Sequence, residues 1–90
     1  MYIEHIAIWV KDLEQMKNFY TQYFGAIANE RYHNPSKNFY SYFLSFERGC
    51  RLELMQMPSI PDTKNDLYAQ FMGLIHFAIS LGSKSKVDEL

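Results

Sequence analysis

The sequence predicts an α+β fold: one βαβββ module, followed by a second module of the same kind that is begun but not finished. Three observations carry this expectation. A strand-like run at 2–10 leads into a helical stripe at 13–24. Three more strand-like runs follow, ending near Met57. Residues 74–81 then repeat the pattern of residues 3–10.

The first run, Tyr2 to Val10, is rich in β-branched and aromatic side chains and reads as a strand. Period-two alternation places Ile3, His5, Ala7 and Trp9 on one face, with Glu4, Ile6, Ile8 and Val10 on the other. Asp12 is a good helix N-cap, and Gln15 stands at the capping-box position. Leu13, Met16, Phe19, Tyr20, Tyr23 and Phe24 recur at helical spacing. Gly25 stands where a left-handed C-terminal cap belongs, so the helix is expected over 13–24.

Ala26 to His33 reads as the second strand, and the cluster 34–38, with Pro35 in it, as a turn. Phe39 to Phe46 is the third strand, thick with aromatics. Glu47-Arg48-Gly49 forms a turn, and Cys50 to Met57 is the fourth strand. Residues 58–72 contain two prolines and read as a long connection, with a helical turn near 67–71. Gly73 to Leu81 is a fifth strand, and Gly82 to Ser85 opens a helix.

Ile3 to Val10 aligns with Leu74 to Leu81, so that His5 falls on His76, Ala7 on Ala78 and Ile8 on Ile79. The offset from His5 to His76 is 71 residues. A repeat of this kind speaks about fold before any local motif does. It divides the chain into a first module, 1–72, with its connecting loop at 58–72, and the first strand and helix start of a truncated second module, 73–90.

Composition narrows the classes of function. With 48% hydrophobic and 21% charged residues the chain is globular. A formal net charge of -1 gives no reason to expect nucleic acid or an anionic membrane surface as partner. Cys50 is the single cysteine, so no intrachain disulfide forms. No apolar run approaches the roughly 20 residues that span a bilayer. The expectation is a cytoplasmic protein. Ninety residues make a thin core, so a second chain, as in a homodimer, or further sequence is expected to complete it.

Three side chains with metal-ligand chemistry stand on strands: His5, Glu53 and His76. Small neighbours on the same face, Ala7 beside His5 and Ala78 beside His76, leave room for an ion and its ligand. Glu53 lies mid-strand between Leu52 and Leu54, and a carboxylate there is costly unless paired or bound to a cation. Imidazole nitrogen and carboxylate oxygen suit Zn, Ni, Fe, Mn or Co. His33 reads as a loop residue and Cys50 as structural. The aromatics Trp9, Phe39, Tyr40, Tyr42 and Phe43 suit core and pocket wall, with Trp9 and Tyr42 as candidate substrate contacts.

The joint pattern resembles the vicinal oxygen chelate superfamily, which includes glyoxalase I, bleomycin-resistance proteins, extradiol dioxygenases and methylmalonyl-CoA epimerase. The residues that carry it are Ile3 to Ile8, Asp12-Leu13, Asn18-Phe19-Tyr20, Phe24-Gly25, Leu52-Glu53-Leu54 and Gly73 to Ala78. The resemblance implies paired βαβββ modules (the glyoxalase/bleomycin-resistance fold), the second incomplete here, with curved sheets around a metal cleft. It implies His5, Glu53 and His76 as ligands. The fourth-strand carboxylate Glu53 resembles glyoxalase I-type members most, which implies a lactoylglutathione lyase-type reaction: proton transfer next to a carbonyl through a metal-stabilised enediolate. The usual catalytic base would lie beyond Leu90, leaving Glu53 as the candidate proton acceptor in this chain. Two other readings stand beside this one: a non-catalytic small-molecule-binding protein, and an inactive fragment held by dimerisation.

Overall fold

The computed structural model describes residues 1–63, 68–69, 72–74 and 77–80. The chain divides into two units, Met1–Ile60 and Pro61–Leu90. The first contains every helix and strand among the described residues: β1 (His5–Trp9), α1 (Leu13–Phe24), β2 (Ile27–Ala28), β3 (Tyr32–Asn34), β4 (Phe39–Ser45) and β5 (Arg51–Gln56). This is the predicted βαβββ order, with the second strand divided in two.

Helix α1 begins and ends where its caps dictate. The Asp12 side chain accepts from the Gln15 amide at 3.0 Å, satisfying one of the amides that a helix start leaves unpaired. At the other end Gly25 takes a left-handed conformation (φ 67°), and the Ala26 amide turns back to donate to the Tyr20 carbonyl.

The strands form one mixed sheet in the order β1-β5-β4-β2, with β3 also pairing β4. β1 runs parallel to β5, and the other pairs are antiparallel. Helix α1 packs on one face, against β2, β4 and β5. Tyr42, Leu44, Leu52 and Leu54 point to that face and are buried there with Leu13 and Tyr20 of α1. Leu44 and Leu54 are wholly buried, each contributing about 1.5–3 kcal/mol of hydrophobic stabilisation. Two polar contacts fix the helix over this core. The Leu13 amide donates to Gln56 Oε1 at 2.8 Å, and the Tyr42 hydroxyl donates to Glu14 Oε1 at 2.8 Å.

The single strand expected over Ala26 to His33 is broken by one extra residue. Ile27 and Ala28 pair with Ser45 and Leu44, whereas Tyr32, His33 and Asn34 pair with Ser41, Tyr40 and Phe39, a register moved by one. This is a β-bulge. Asn29 holds it: its amide donates to the Phe43 carbonyl at 3.1 Å, while its side-chain oxygen accepts from the Phe43 amide at 2.9 Å. His33, the last residue of the expected second strand though read there as loop-like, lies in β3 and stacks on Tyr40 with ring centroids 4.2 Å apart. In the turn that follows, the Ser36 hydroxyl donates to Asn34 Oδ1, and Asn38 takes a positive φ of 52°.

In the second unit none of the described residues belongs to a helix or strand. Of the strand expected at 73–81, residues 73–74 and 77–80 are described and lie outside the sheet. Alternation is only half of what a strand needs; the other half is a neighbour for its amides and carbonyls. His76 and residues 81–90 lie outside the described residues, as do 67, 70 and 71 of the expected helical turn.

Candidate functional site

The face of the sheet opposite α1 is open among the described residues of the first unit, and the strand registers decide what stands on it. His5 pairs with Arg51, Ala7 with Glu53 and Trp9 with Met55 across β1 and β5. Glu53 in turn pairs with Phe43, and Met55 with Ser41, across β5 and β4. Cross-strand partners share a face, so His5, Glu53, Phe43, Arg51 and Trp9 all belong to one surface.

On that surface His5 Nε2 lies 3.8 Å from Glu53 Oε1. The Glu53 side chain is 16% exposed and that of His5 41%. The His5 ring meets the Phe43 ring edge-on at 5.2 Å. Its other nitrogen, Nδ1, is 3.1 Å from Glu4 Oε1. Glu4 is gripped by Arg51, whose Nε donates to Oε2 at 2.8 Å and whose Nη2 donates to Oε1. These bonds, with the His5 contact, hold the Glu4 carboxyl down to about 2. The same pairing raises the Arg51 guanidinium above its ordinary value. Arg51 lies over the Phe43 ring at 4.1 Å, a cation–π contact.

The other end of the open face is aromatic. Phe39 meets Trp9 at 6.0 Å and Tyr32 at 6.0 Å, both near edge-to-face. Tyr32 is there because of the bulge. Without the extra residue, alternation from Ala28 would turn it toward the helix. Ser41 is buried in the same row.

The structure thus brings together His5 and Glu53, and sets Trp9 on the same face. It does not bring Tyr42 there. Tyr42 is an alternate neighbour of Phe43 on β4, so it faces the helix, where it is buried and bonded to Glu14. Burial, and then the Glu14 bond, push its phenol above the ordinary value. The aromatic side chains that accompany Trp9 on the open face are Phe39 and Tyr32. His76 lies outside the described residues, and among those described no three His, Cys, Asp or Glu side chains come together as a metal-binding group.

A profile of the Glyoxalase/Bleomycin resistance protein/Dioxygenase superfamily matches residues 2–90. The chain belongs to this superfamily. Its structure is similar to the crystal structure of SMU.1112c, with a TM-score of 0.80 over 99% of this chain and 71% of that one. Sequence identity is 19%, so that likeness is one of fold. It is also similar to a glyoxalase family protein from Enterococcus faecalis, with a TM-score of 0.65 and 28% identity. That match covers 80% of this chain and 55% of the other, so this chain spans little more than half of that relative. No curated protein matches.

His5 and Glu53 place an imidazole nitrogen and a carboxylate oxygen 3.8 Å apart on one face, a donor chemistry that would fit a divalent cation. Two residues of the cluster, Glu4 and Arg51, were not singled out by the sequence. Period two from β1 sets Glu4 on the helix side, but the strand begins at His5 and the Glu4 side chain is free to turn toward Arg51. Arg51 carried a usable signal, since it stands two residues before Glu53 and shares its face.

Proposed function

We propose that the chain forms part of a divalent-metal-dependent lyase or isomerase of the glyoxalase I type, moving a proton next to a carbonyl in a small substrate. The observation that carries this reading is the pair His5 Nε2 and Glu53 Oε1, 3.8 Å apart on the open face of the sheet. Membership of the superfamily supports it, as does the position of a carboxylate on the last strand of the module.

On this reading His5 and Glu53 hold the ion, with His76 as a third ligand from the segment 73–90. Nitrogen and oxygen donors admit Zn, Ni, Fe, Mn or Co. When bound, the ion supplies Lewis-acid polarisation of the substrate carbonyl. Glu53 is the candidate proton acceptor within this chain, and a further base would come from elsewhere in the complete site. Trp9 and Phe39 form the aromatic end of the face and suit the apolar part of a substrate such as the thiol adduct of a 2-oxoaldehyde. Two copies of the chain form the working unit.

Metal content after loading with Zn²⁺ tests the assignment. The unaltered chain is expected to hold stoichiometric metal, and His5→Ala and His76→Ala to lose most of it. Glu53→Gln is expected to bind more weakly while keeping its fold. Full stoichiometry in both histidine variants would show the site to be wrong. A folded, unaltered chain that takes up no metal would make the protein a non-catalytic binder instead.

A further inference from the structure

We propose that Glu4 is a positioning residue, which, gripped by Arg51, holds the His5 ring as its Nδ1–H tautomer and leaves the Nε2 lone pair facing Glu53. The use made of that lone pair rests on the metal-site reading above; the tautomer itself does not.

The argument begins at Arg51. Its guanidinium meets Glu4 as a fork, with one nitrogen on each carboxylate oxygen. The backbone is tied as well, because the Arg51 amide donates to the Glu4 carbonyl at 2.9 Å where β1 and β5 come together. The guanidinium rests on the Phe43 ring, and the His5 ring stands edge-on to the same ring. Glu4 is therefore held from two sides, and His5 is set beside it against a common aromatic wall.

A carboxylate paired with guanidinium in this way is ionised and can only accept hydrogen bonds. The 3.1 Å contact between Glu4 Oε1 and His5 Nδ1 thus requires the proton to be on Nδ1. Neutral imidazole carries one N–H, so Nε2 is then the acceptor nitrogen. Its distance to Glu53 Oε1, 3.8 Å, is too long for a hydrogen bond, so nothing there demands a proton on Nε2. The arrangement is that of histidine ligands generally, in which a carboxylate on one nitrogen fixes the tautomer and orientation of the other. The His5 side chain is 41% exposed, so without Glu4 water would be free to choose both.

The test is ¹⁵N NMR of the His5 ring in the metal-free chain at alkaline pH, where the ring is neutral, together with Co²⁺ titration. The unaltered chain is expected to show Nδ1 protonated and Nε2 bare. Glu4→Ala is expected to shift the ring toward the Nε2–H form and to weaken Co²⁺ binding by about 10–100-fold. Glu4→Gln keeps an acceptor oxygen and is expected to retain more of the native tautomer than the alanine variant. A native ring protonated at Nε2, or a tautomer ratio indifferent to Glu4→Ala, overturns the proposal. A native Nδ1–H ring in a chain that binds no Co²⁺ upholds the positioning role and removes the metal reading.

Discussion

Glu4 shows how much one carboxylate can organise. It joins Arg51 to His5, and the Arg51 bonds are the main reason its carboxyl is held down to about 2, from an ordinary 4.5. An acid depressed in the folded state contributes stability that is complete above its unfolded value and is lost as the pH falls through the folded one. The Glu4 contribution is therefore whole at neutral pH and disappears between about 4.5 and about 2. Thermal melts across that range should show this loss in the unaltered chain and not in Glu4→Gln; a Glu4 carboxyl titrating near 4.5 by NMR would contradict it. Residue by residue, the sequence was legible where alternation could be applied within one strand. His5 with Trp9, and Glu53 with Met55, follow from it directly. The same rule separates Tyr40 and Tyr42 from Phe39 and Phe43, and so divides these aromatics between the helix side and the open face. Alternation set Glu4 on the face opposite His5 and failed there, because the strand begins only at His5 and the Glu4 side chain turns to Arg51.

At the scale of elements, α1 was readable to both ends because capping is local chemistry: an Asp12 oxygen for an early amide, and a glycine where φ turns positive. The broken second strand was not readable. A bulge is one residue more on one strand than on its partner, and only pairing with β4 reveals it. The element nonetheless shapes the open face, since it delivers Tyr32 to Phe39. Asn29 replaces a backbone acceptor with its own side-chain oxygen, so Asn29→Ala should strip the Phe43 amide of its partner. The expected cost is about 1 kcal/mol in denaturant unfolding, in line with one lost hydrogen bond. The sharper check is hydrogen exchange. The Phe43 amide should lose protection in the variant while amides of α1 keep theirs, and a Phe43 amide that exchanges as slowly as before would show that the bulge does not depend on Asn29.

At the scale of the molecule the decisive quantity is how little apolar surface the first unit hides. Leu44 and Leu54 are its wholly buried large side chains among the described residues, while Trp9, Phe19, Tyr23, Ile27 and Tyr32 all remain exposed. A 60-residue unit has a stability of roughly 3–9 kcal/mol at ordinary values per residue. Loss of either leucine to alanine would cost about 2–5 kcal/mol of that. The thin core was foreseeable from length alone; which surfaces stay uncovered was not, because that depends on register and on the bulge. Aromatic side chains left on the open face and on α1 are candidates for burial by a second copy. Burial of that kind couples folding to association, and association makes the melting temperature rise with protein concentration. The expected outcome is a native mass of two chains, with a melting temperature that climbs as the protein is concentrated. The single-chain mass with a melting temperature independent of concentration would exclude the homodimer, and would require the first unit to hold its fold on the two leucines and their few buried neighbours.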